Sequence, residues 1–290
     1  APSKEEFFMF FSETNSLPSG ILTIKTALSG AAVKRPNTES GESKMPSFVS
    51  CKNVKKIYRM GEVTINAVDG IDFEIQKGEF VAVLGRSGSG KSTLLNILAG
   101  LDRPSEGKVY IDGTDIFDLS EEKRTLLRRG KIGFVFQAYE LLHSLTVAEN
   151  IRLPELIADA DYVRELLDAL EIRKYEKCYP DQLSGGEQQR TAIATALINH
   201  PPILFADEPT GALNQQNSRA VMKELNRING EGTTIMLVTH DRNVAARSDR
   251  VLYIEDGTIK GEYVLGKFGG GEETRQRERK ISDWLMEMGF

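Results

Sequence analysis

The residues with the most chemistry in them stand together at Gly85-Arg86-Ser87-Gly88-Ser89-Gly90-Lys91-Ser92-Thr93. The spacing G-x-x-x-x-G-K-[ST] is that of a phosphate-binding loop. Its glycines let the backbone curl until several N–H groups converge on phosphate oxygens. A helix starting behind the loop adds partial positive charge at its N-terminus. Lys91 would bring a full charge to the β- and γ-phosphates, and Ser92 a hydroxyl to Mg²⁺, which takes hard oxygen ligands. A second group, Asp207-Glu208, ends the apolar run Ile203-Leu204-Phe205-Ala206. Asp207 reads as the metal-side carboxylate, holding Mg²⁺ directly or through water opposite Ser92. Glu208 can lie nearer the γ-phosphate, where a carboxylate orients and deprotonates an attacking water. Negative charge around it should favour its taking up a proton, the direction a base needs. The bland alternative is that both acids cap the next helix, since Pro209-Thr210-Gly211 signals a turn.

A third group is Leu183-Ser184-Gly185-Gly186-Glu187-Gln188-Gln189-Arg190. Ser184 as N-cap and Glu187 three residues on make a capping box, and Thr191 to Leu197 continues as a good helix. This is a second glycine-rich helix start, whereas one nucleoside triphosphate needs a single phosphate loop. The two fit together if the second start faces the γ-phosphate held by another copy. That predicts a head-to-tail dimer with ATP between the subunits; the alternative is an ordinary capped helix.

These groups need elements to hold them. Phe80 to Leu84 is a short continuous apolar run, as a buried parallel strand should be, and Ser92 to Ala99 reads as the helix behind the loop. Phe48–Tyr58 and Thr64–Ile75 read as strands, and Val109-Tyr110-Ile111 runs into the hairpin turn Asp112-Gly113. Lys131–Phe136, Pro202–Ala206, Thr234–Val238 and Arg250–Ile254 are further apolar strands, the last turning at Asp256-Gly257 into Thr258-Ile259-Lys260. Between Leu145 and Tyr179 the pattern turns helical, clearest in Tyr162 to Leu170. Apolar strands separated by helical stretches indicate an α/β domain with a mainly parallel sheet.

The ends differ from this middle. Residues 1–46 are rich in Ser, Thr, Gly and Pro without sustained periodicity and read as a poorly ordered extension. Met45 would be a natural start for the folded part, and the alternative for the extension is a partner-binding arm anchored by Phe7-Phe8-Met9-Phe10-Phe11. After Gly269-Gly270-Gly271, Ile281, Trp284, Leu285 and Met288 fall on one helical stripe. That helix is expected on its own domain; the alternative is a partner or second copy. The domains are therefore 1–46, 47–266 and a tail at 267–290.

The bulk numbers narrow the class. The chain has 290 residues, 40% hydrophobic and 27% charged, with net charge −5. A sizeable core is possible, and the acidic balance argues against a dedicated nucleic-acid binder. Two cysteines, Cys51 and Cys178, are no disulfide framework and suggest a reducing compartment. No apolar run nears the roughly 18 residues of a membrane helix, and Lys4-Glu5-Glu6 is no basic lead-in for a signal peptide.

The ordered set of phosphate loop, Gln137 after a strand, Leu-Ser-Gly-Gly-Glu-Gln-Gln, strand-Asp-Glu-Pro-Thr-Gly and strand-Thr-His resembles the ATP-binding subunit of an ABC transporter. The likeness covers about Phe48 to Gly261. Met60-Gly61-Glu62, Phe134-Val135-Phe136-Gln137, Leu145 to Asn150 and Asp207 to Leu213 are similar to the branch of the lipoprotein-releasing, macrolide-export and antimicrobial-peptide-resistance ATPases and the cell-division ATPase. The resemblance implies a P-loop (RecA-like) α/β core with an antiparallel β subdomain and an inserted α-helical subdomain at about 139–190. It implies that Tyr58 stacks on adenine, that Gln137 reaches Mg²⁺ and the attacking water, and that His240 contacts the γ-phosphate. Ser184, Gly185, Gly186 and Glu187 would bind the nucleotide of the opposite copy. It implies an ATPase that closes as a homodimer, at the inner face of the cell membrane, and powers separate permease subunits, probing no nucleic acid. The expected cargo is a lipid-linked, peptide or macrolide-like substrate to be exported or extracted. Two other classes stay open: an ATPase that mechanically regulates a membrane partner, as the cell-division relative does, and a soluble ATPase acting on nucleic acid or ribosomes. The sequence also departs from the branch. Asn214 stands where an Asp is usual, Thr195 where an Arg is common, and the stretch through Leu153-Pro154-Glu155-Leu156 is short, which bears on the membrane-subunit face.

Overall fold

The computed structural model describes residues 47–61, 63–154, 160–271 and 273–289. The extension at 1–46 with its Phe cluster and Met45, together with Glu62 and Glu155-Leu156, lies outside the described residues. At its centre is a six-stranded sheet in the order β10-β9-β3-β8-β7-β6. Its strands are β3 (Phe80–Leu84), β6 (Ile132–Val135), β7 (Ile203–Asp207), β8 (Thr234–Thr239), β9 (Arg250–Glu255) and β10 (Thr258–Val264). All neighbours are parallel except β10, which runs back along β9 through the Asp256-Gly257 turn. Every residue of β3 and β8 is buried, which is why these strands read as unbroken apolar runs rather than alternating ones.

The two faces of β3 feed two cores. Val81 and Val83 pack with Leu94, Leu95, Ile97 and Leu98 of α1 (Lys91–Leu98) and with Val49, Val68, Ile71 and Ile111 of a second sheet. Phe80, Ala82 and Leu84 point to the other core, with Ile151, Leu167, Ile193, Val221, Leu225 and Val244. The second sheet is antiparallel, in the order β2-β1-β4-β5, from β1 (Val49–Met60), β2 (Val63–Ile75), β4 (Glu106–Ile111) and β5 (Thr114–Asp115). Burying an aliphatic side chain contributes about 1.5–3 kcal/mol, so the four apolar residues of α1 hold the helix behind the phosphate loop firmly between the sheets.

The other helices are α2 (Glu121–Lys131), α3 (Val147–Arg152), α4 (Ala160–Ala169), α5 (Gly185–Leu197), α6 (Gln215–Gly230), α7 (Arg242–Ala245) and α8 (Glu273–Glu287). The helical reading of Leu145 to Tyr179 resolves into α3, α4 and a 3-10 turn at Arg173–Tyr175. α2 and α6 were not expected. The stripe of α8 lies on its own domain: Ile281 and Leu285 are buried in the core, and Trp284 packs edge-on to Tyr253 with ring centres 6.5 Å apart. Arg277 is 2% exposed, and its guanidinium donates to the carbonyls of Ser248, Leu265, Gly266 and Lys267. That one side chain satisfies a loop which would otherwise leave its carbonyls without partners.

The register of the central sheet positions the chemistry. Leu84 pairs with Thr239 and Asp207 with Val238. The phosphate loop, Asp207-Glu208 and Thr239-His240 therefore leave the sheet at one edge, the carboxyl ends of the strands, where open α/β sheets bind ligands.

Candidate functional site

The phosphate loop runs from Gly85 into α1, and its shape depends on glycine at two close approaches. A Cβ on Gly90, whose φ is 97°, would lie 1.9 Å from the Ala67 carbonyl oxygen; one on Gly85 would lie 2.2 Å from that of Ile254. The loop is thus wedged between β2 and the end of β9. The β9–β10 turn braces it, since the Gly257 N–H donates to the Ser89 carbonyl at 3.1 Å. The Lys91 ammonium folds back to the Gly85 and Arg86 carbonyls, at 2.9 and 2.8 Å. Burial lowers the Lys91 pKa, while the carboxylates of Glu208 and Asp207 work to raise it. A buried, incompletely solvated ammonium in a loop of N–H donors is set up for an anion.

Loop and acids enclose a cavity of about 890 Å³ whose walls include Arg86, Lys91, Thr93, Gln137, Glu208 and His240. Ser87, Gly88, Gly90, Ser92, Ile65, Asn66, Ala67, Asp256 and Gly257 complete it. Sequence reasoning missed the Asn66-Ala67 and Asp256-Gly257 walls. Asp256-Gly257 was legible as a hairpin turn, but only the sheet order carries that turn to the loop.

The Ser92 hydroxyl donates to Asp207 Oδ1 at 2.9 Å. Burial raises the Asp207 pKa, helped by the charge of Glu208 and opposed by the Ser92 hydrogen bond and Lys91. A hydroxyl and a carboxylate that burial makes reluctant to stay charged are a hard-oxygen pair suited to a divalent cation. Among the described residues no group of three or more His, Cys, Asp or Glu stands together as a metal site.

Glu208 has φ 46°, the left-handed region, which a non-glycine residue occupies only when its surroundings impose it. Its N–H donates to Val238 at 3.1 Å and its carbonyl accepts from Gly211 at 3.0 Å. The result lifts the carboxylate off the end of β7 to within 3.0 Å of His240 Nδ1. Glu208 and His240 also border a second cavity, of about 400 Å³, lined by Thr210, Arg219, Asp241 and Arg247. Asp241 caps α7, accepting from the Asn243 N–H at 2.7 Å, and Asn214 caps α6, accepting from Asn217 at 2.9 Å. The capping alternative thus applies to these two residues and not to Asp207 or Glu208.

Tyr58 does not itself line the main cavity. It pairs across β1–β2 with Ile65, which does, and its hydroxyl donates to Asp102 Oδ2 at 2.8 Å. Burial and that bond raise the hydroxyl's pKa, while the side chain of Thr93, another wall residue, lowers it. Ser184, Gly185, Gly186 and Glu187 are absent from the cavity altogether. Ser184 is exposed at the start of α5, where its N–H donates to Glu187 Oε2 at 2.8 Å. Burial works to raise the Glu187 pKa, but bonds from Tyr175 and Ser184 bring it below the usual carboxylate range. A Cβ on Gly186 would lie 2.7 Å from Asn217 Nδ2, which keeps α5 close against α6.

Residues 68–211 match the ABC transporter family. The ABC transporter ATP-binding protein MJ0796 of Methanocaldococcus jannaschii is 45% identical over 232 residues, covering 76% of this chain and 99% of that protein. The macrolide export ATP-binding/permease protein MacB of Bdellovibrio bacteriovorus is 37% identical over 243 residues, 82% of this chain and 37% of the relative. Its namesake in Syntrophobacter fumaroxidans is 44% identical over 224 residues, 74% of this chain and 31% of the relative, so the chain spans about a third of the length of either. Among solved structures, the dimeric post-hydrolysis state of the cassette MJ0796 bound to ADP and Pi superimposes with a TM-score of 0.72 at 44% identity, over 76% of this chain and all of that one. The cbiO1 subunit of Clostridium perfringens, part of the ABC transporter complex cbiONQ, gives 0.67 at 27% identity, over 83% and 95%.

Proposed function

The chain belongs to the ABC transporter family and is one of its ATPases, and from that premise we propose that two copies close around ATP and drive a separate membrane permease. The observation carrying this is the separation of two anion-binding parts within one chain. The phosphate loop, Gln137, Glu208 and His240 share one cavity, with Asp207 bonded to its wall residue Ser92, while the exposed start of α5 at Ser184 has no part in it. A second copy supplies the missing side. The relative solved with ADP and Pi is dimeric, which supports the same arrangement here.

In that arrangement Lys91 and the loop N–H groups hold the β- and γ-phosphates, and Tyr58 carries adenine at the rim. Ser92 and Asp207 would hold Mg²⁺, with Gln137 on the wall of the same cavity as a further ligand, and the ion would neutralise charge on the phosphate oxygens. Glu208 accepts the proton of the attacking water. His240, 3.0 Å away, orients that carboxylate and meets the γ-phosphate. Ser184, Gly185 and Gly186 of the opposite copy present N–H groups to the same γ-phosphate, with Glu187 fixing the helix start. Loss of the γ-phosphate removes what both copies grip, and the pair reopens.

The permease surface is proposed beside Gln137. A largely apolar groove of about 360 Å³, lined by Leu101, Ile132, Phe134, Phe136 and Pro154, leads up to that residue. No helix among the described residues is long and apolar enough to cross a membrane; in this reading the spanning segments are those of the permease, and the ATPase works at the inner face of the membrane. The macrolide-export names of two relatives support export of a macrolide-like, peptide or lipid-linked cargo. Nucleotide binding and phosphate release on the purified chain test the site. Lys91→Ala is expected to weaken ATP binding by about 1.5–3 kcal/mol, the value of a charge-assisted hydrogen-bonded contact. Glu208→Gln is expected to keep binding and lose about 10²–10⁴-fold in turnover. Unchanged affinity in the first variant or full turnover in the second would overturn the assignment.

A further inference from the structure

At the far end of α1 from the phosphate loop is a recess of about 250 Å³ holding three guanidinium groups that the nucleotide chemistry does not use. Arg103 follows α1, while Arg124 and Arg128 come from α2. Arg103 and Arg124 both lie against the ring of Phe117, at 5.5 and 5.4 Å from its centre, so two like charges share one aromatic face pair. A ring can attract a cation, but it supplies no counter-charge for two. Arg124 is 7% exposed, and its Nε and Nη1 have no hydrogen-bond partner. Its remaining nitrogen bonds Glu121, and Arg128 lies 3.5 Å from the same carboxylate. Arg128 also donates to the Gly100 carbonyl at 2.8 Å, answering the negative end of α1.

The acids around the recess do not balance this charge. Asp102 is engaged elsewhere, accepting from Lys56 at 2.6 Å and from the Tyr58 hydroxyl at 2.8 Å. Glu121 meets Arg124 and Arg128, while the Arg103 guanidinium meets only the Phe117 carbonyl and ring, so three positive charges less one leaves two. Nothing in packing calls for an arginine at position 124, since a part-buried guanidinium with unfilled donors is costly. Planar forks arranged around one small recess are suited to a tetrahedral oxyanion, which each can meet with paired N–H groups.

We propose that this recess binds a phosphate-class dianion, either free phosphate or the phosphomonoester end of a larger molecule such as a lipid headgroup. The site reaches the nucleotide by two short routes. α1 leads from Gly100 back to Lys91, and Asp102 leads to Tyr58, so an anion here would be felt at the ATP cavity.

The experiment uses the full chain saturated with a non-hydrolysable ATP analogue, so that the γ-phosphate position is filled. Inorganic phosphate is titrated calorimetrically into it and into Arg103→Gln and Arg124→Met. Arg103 is exposed and touches the core only at the ring and carbonyl of Phe117, so its variant keeps the fold even if the Arg124 variant does not, and circular dichroism checks both. Saturable binding that weakens about tenfold or more in Arg103→Gln is the expected result. A second arm floats the same proteins with phosphatidylcholine vesicles, with and without phosphatidic acid. Capture that depends on phosphatidic acid and on Arg103, without a free-phosphate titration, assigns the anion to a headgroup. Absence of both kinds of binding, or binding that Arg103→Gln leaves unchanged, overturns the proposal.

Discussion

Glu208 and Asp207 are neighbours in sequence with opposite surroundings. The left-handed backbone at Glu208 turns its carboxylate out toward His240, while Asp207 stays at the end of β7 against Ser92. Burial at Asp207 raises its pKa, which fixes a sign for stability. The folded carboxyl holds its proton to higher pH than the unfolded one. Its favourable contribution is therefore complete below the unfolded pKa and is lost as pH rises through the folded value. Asp207→Asn avoids that loss and keeps an acceptor for the Ser92 hydroxyl. In thermal melts without nucleotide, the variant should be more stable than the parent chain at neutral pH. The gap should close as pH falls toward the ordinary carboxylate range of about 4. A variant less stable than the parent at neutral pH would mean that the Ser92 bond outweighs burial. The same carboxylate is the one proposed for Mg²⁺, so stability and function pull apart here.

The strands were legible because β3, β7 and β8 are buried on both faces, and the run Phe80 to Leu84 is the observed strand to the residue. α2 was not legible: Glu121 to Lys131 is mostly charged, its only apolar side chains are the adjacent Leu126 and Leu127, and Arg124 is its one buried residue, so no apolar stripe announces it. α6 did carry a signal in Val221, Leu225 and Ile228, but Asn217-Ser218 in its first turn are weak helix formers and no apolar residue of the helix precedes Ala220. The capping box at Ser184 was of the opposite kind, local enough to be read from spacing, whereas the equivalent box at Thr146 was missed. Glu187→Ala should cost about 1 kcal/mol in urea unfolding at neutral pH by removing the acceptor of the Ser184 N–H. Because Glu187 has a lowered pKa, that difference should vanish as pH falls through its titration, when the parent chain loses the carboxylate too. A difference that persists in acid would assign the effect to packing. For α8, Arg277 makes the stronger claim. Arg277→Met leaves the carbonyls of Ser248, Gly266 and Lys267 without their donor, and should release the helix from the sheet. Trp284 is the single tryptophan, so its emission should shift to the red; an unchanged spectrum would show that Ile281 and Leu285 hold α8 unaided.

At the scale of the whole molecule, what no single stretch could reveal is which parts meet within one chain and which do not. The motif order pointed to the family. The separation of Ser184 from the phosphate loop emerges only from the fold, in which the start of α5 lies against Tyr139, Leu213 and Asn217 and forms no wall of the nucleotide cavity. Asn214 illustrates the limit of reading by position: the lost charge suggested a weakened contact with a second copy, whereas within this chain the side chain caps α6. The groove beside Gln137 and the arginine recess at Arg103 were likewise invisible in sequence, because the groove joins the segment after α1 to α2, β6 and Pro154, and the recess joins that segment to Phe117 and α2. The central claim is that ATP joins two copies through the start of α5. It is tested most directly by light scattering on Glu208→Gln with saturating ATP, alone and combined with Ser184→Arg. The account predicts a doubling of mass for the single variant, and for the double variant a chain that binds ATP and stays monomeric. A monomer in the first case, or a dimer that the arginine does not disturb, would contradict it.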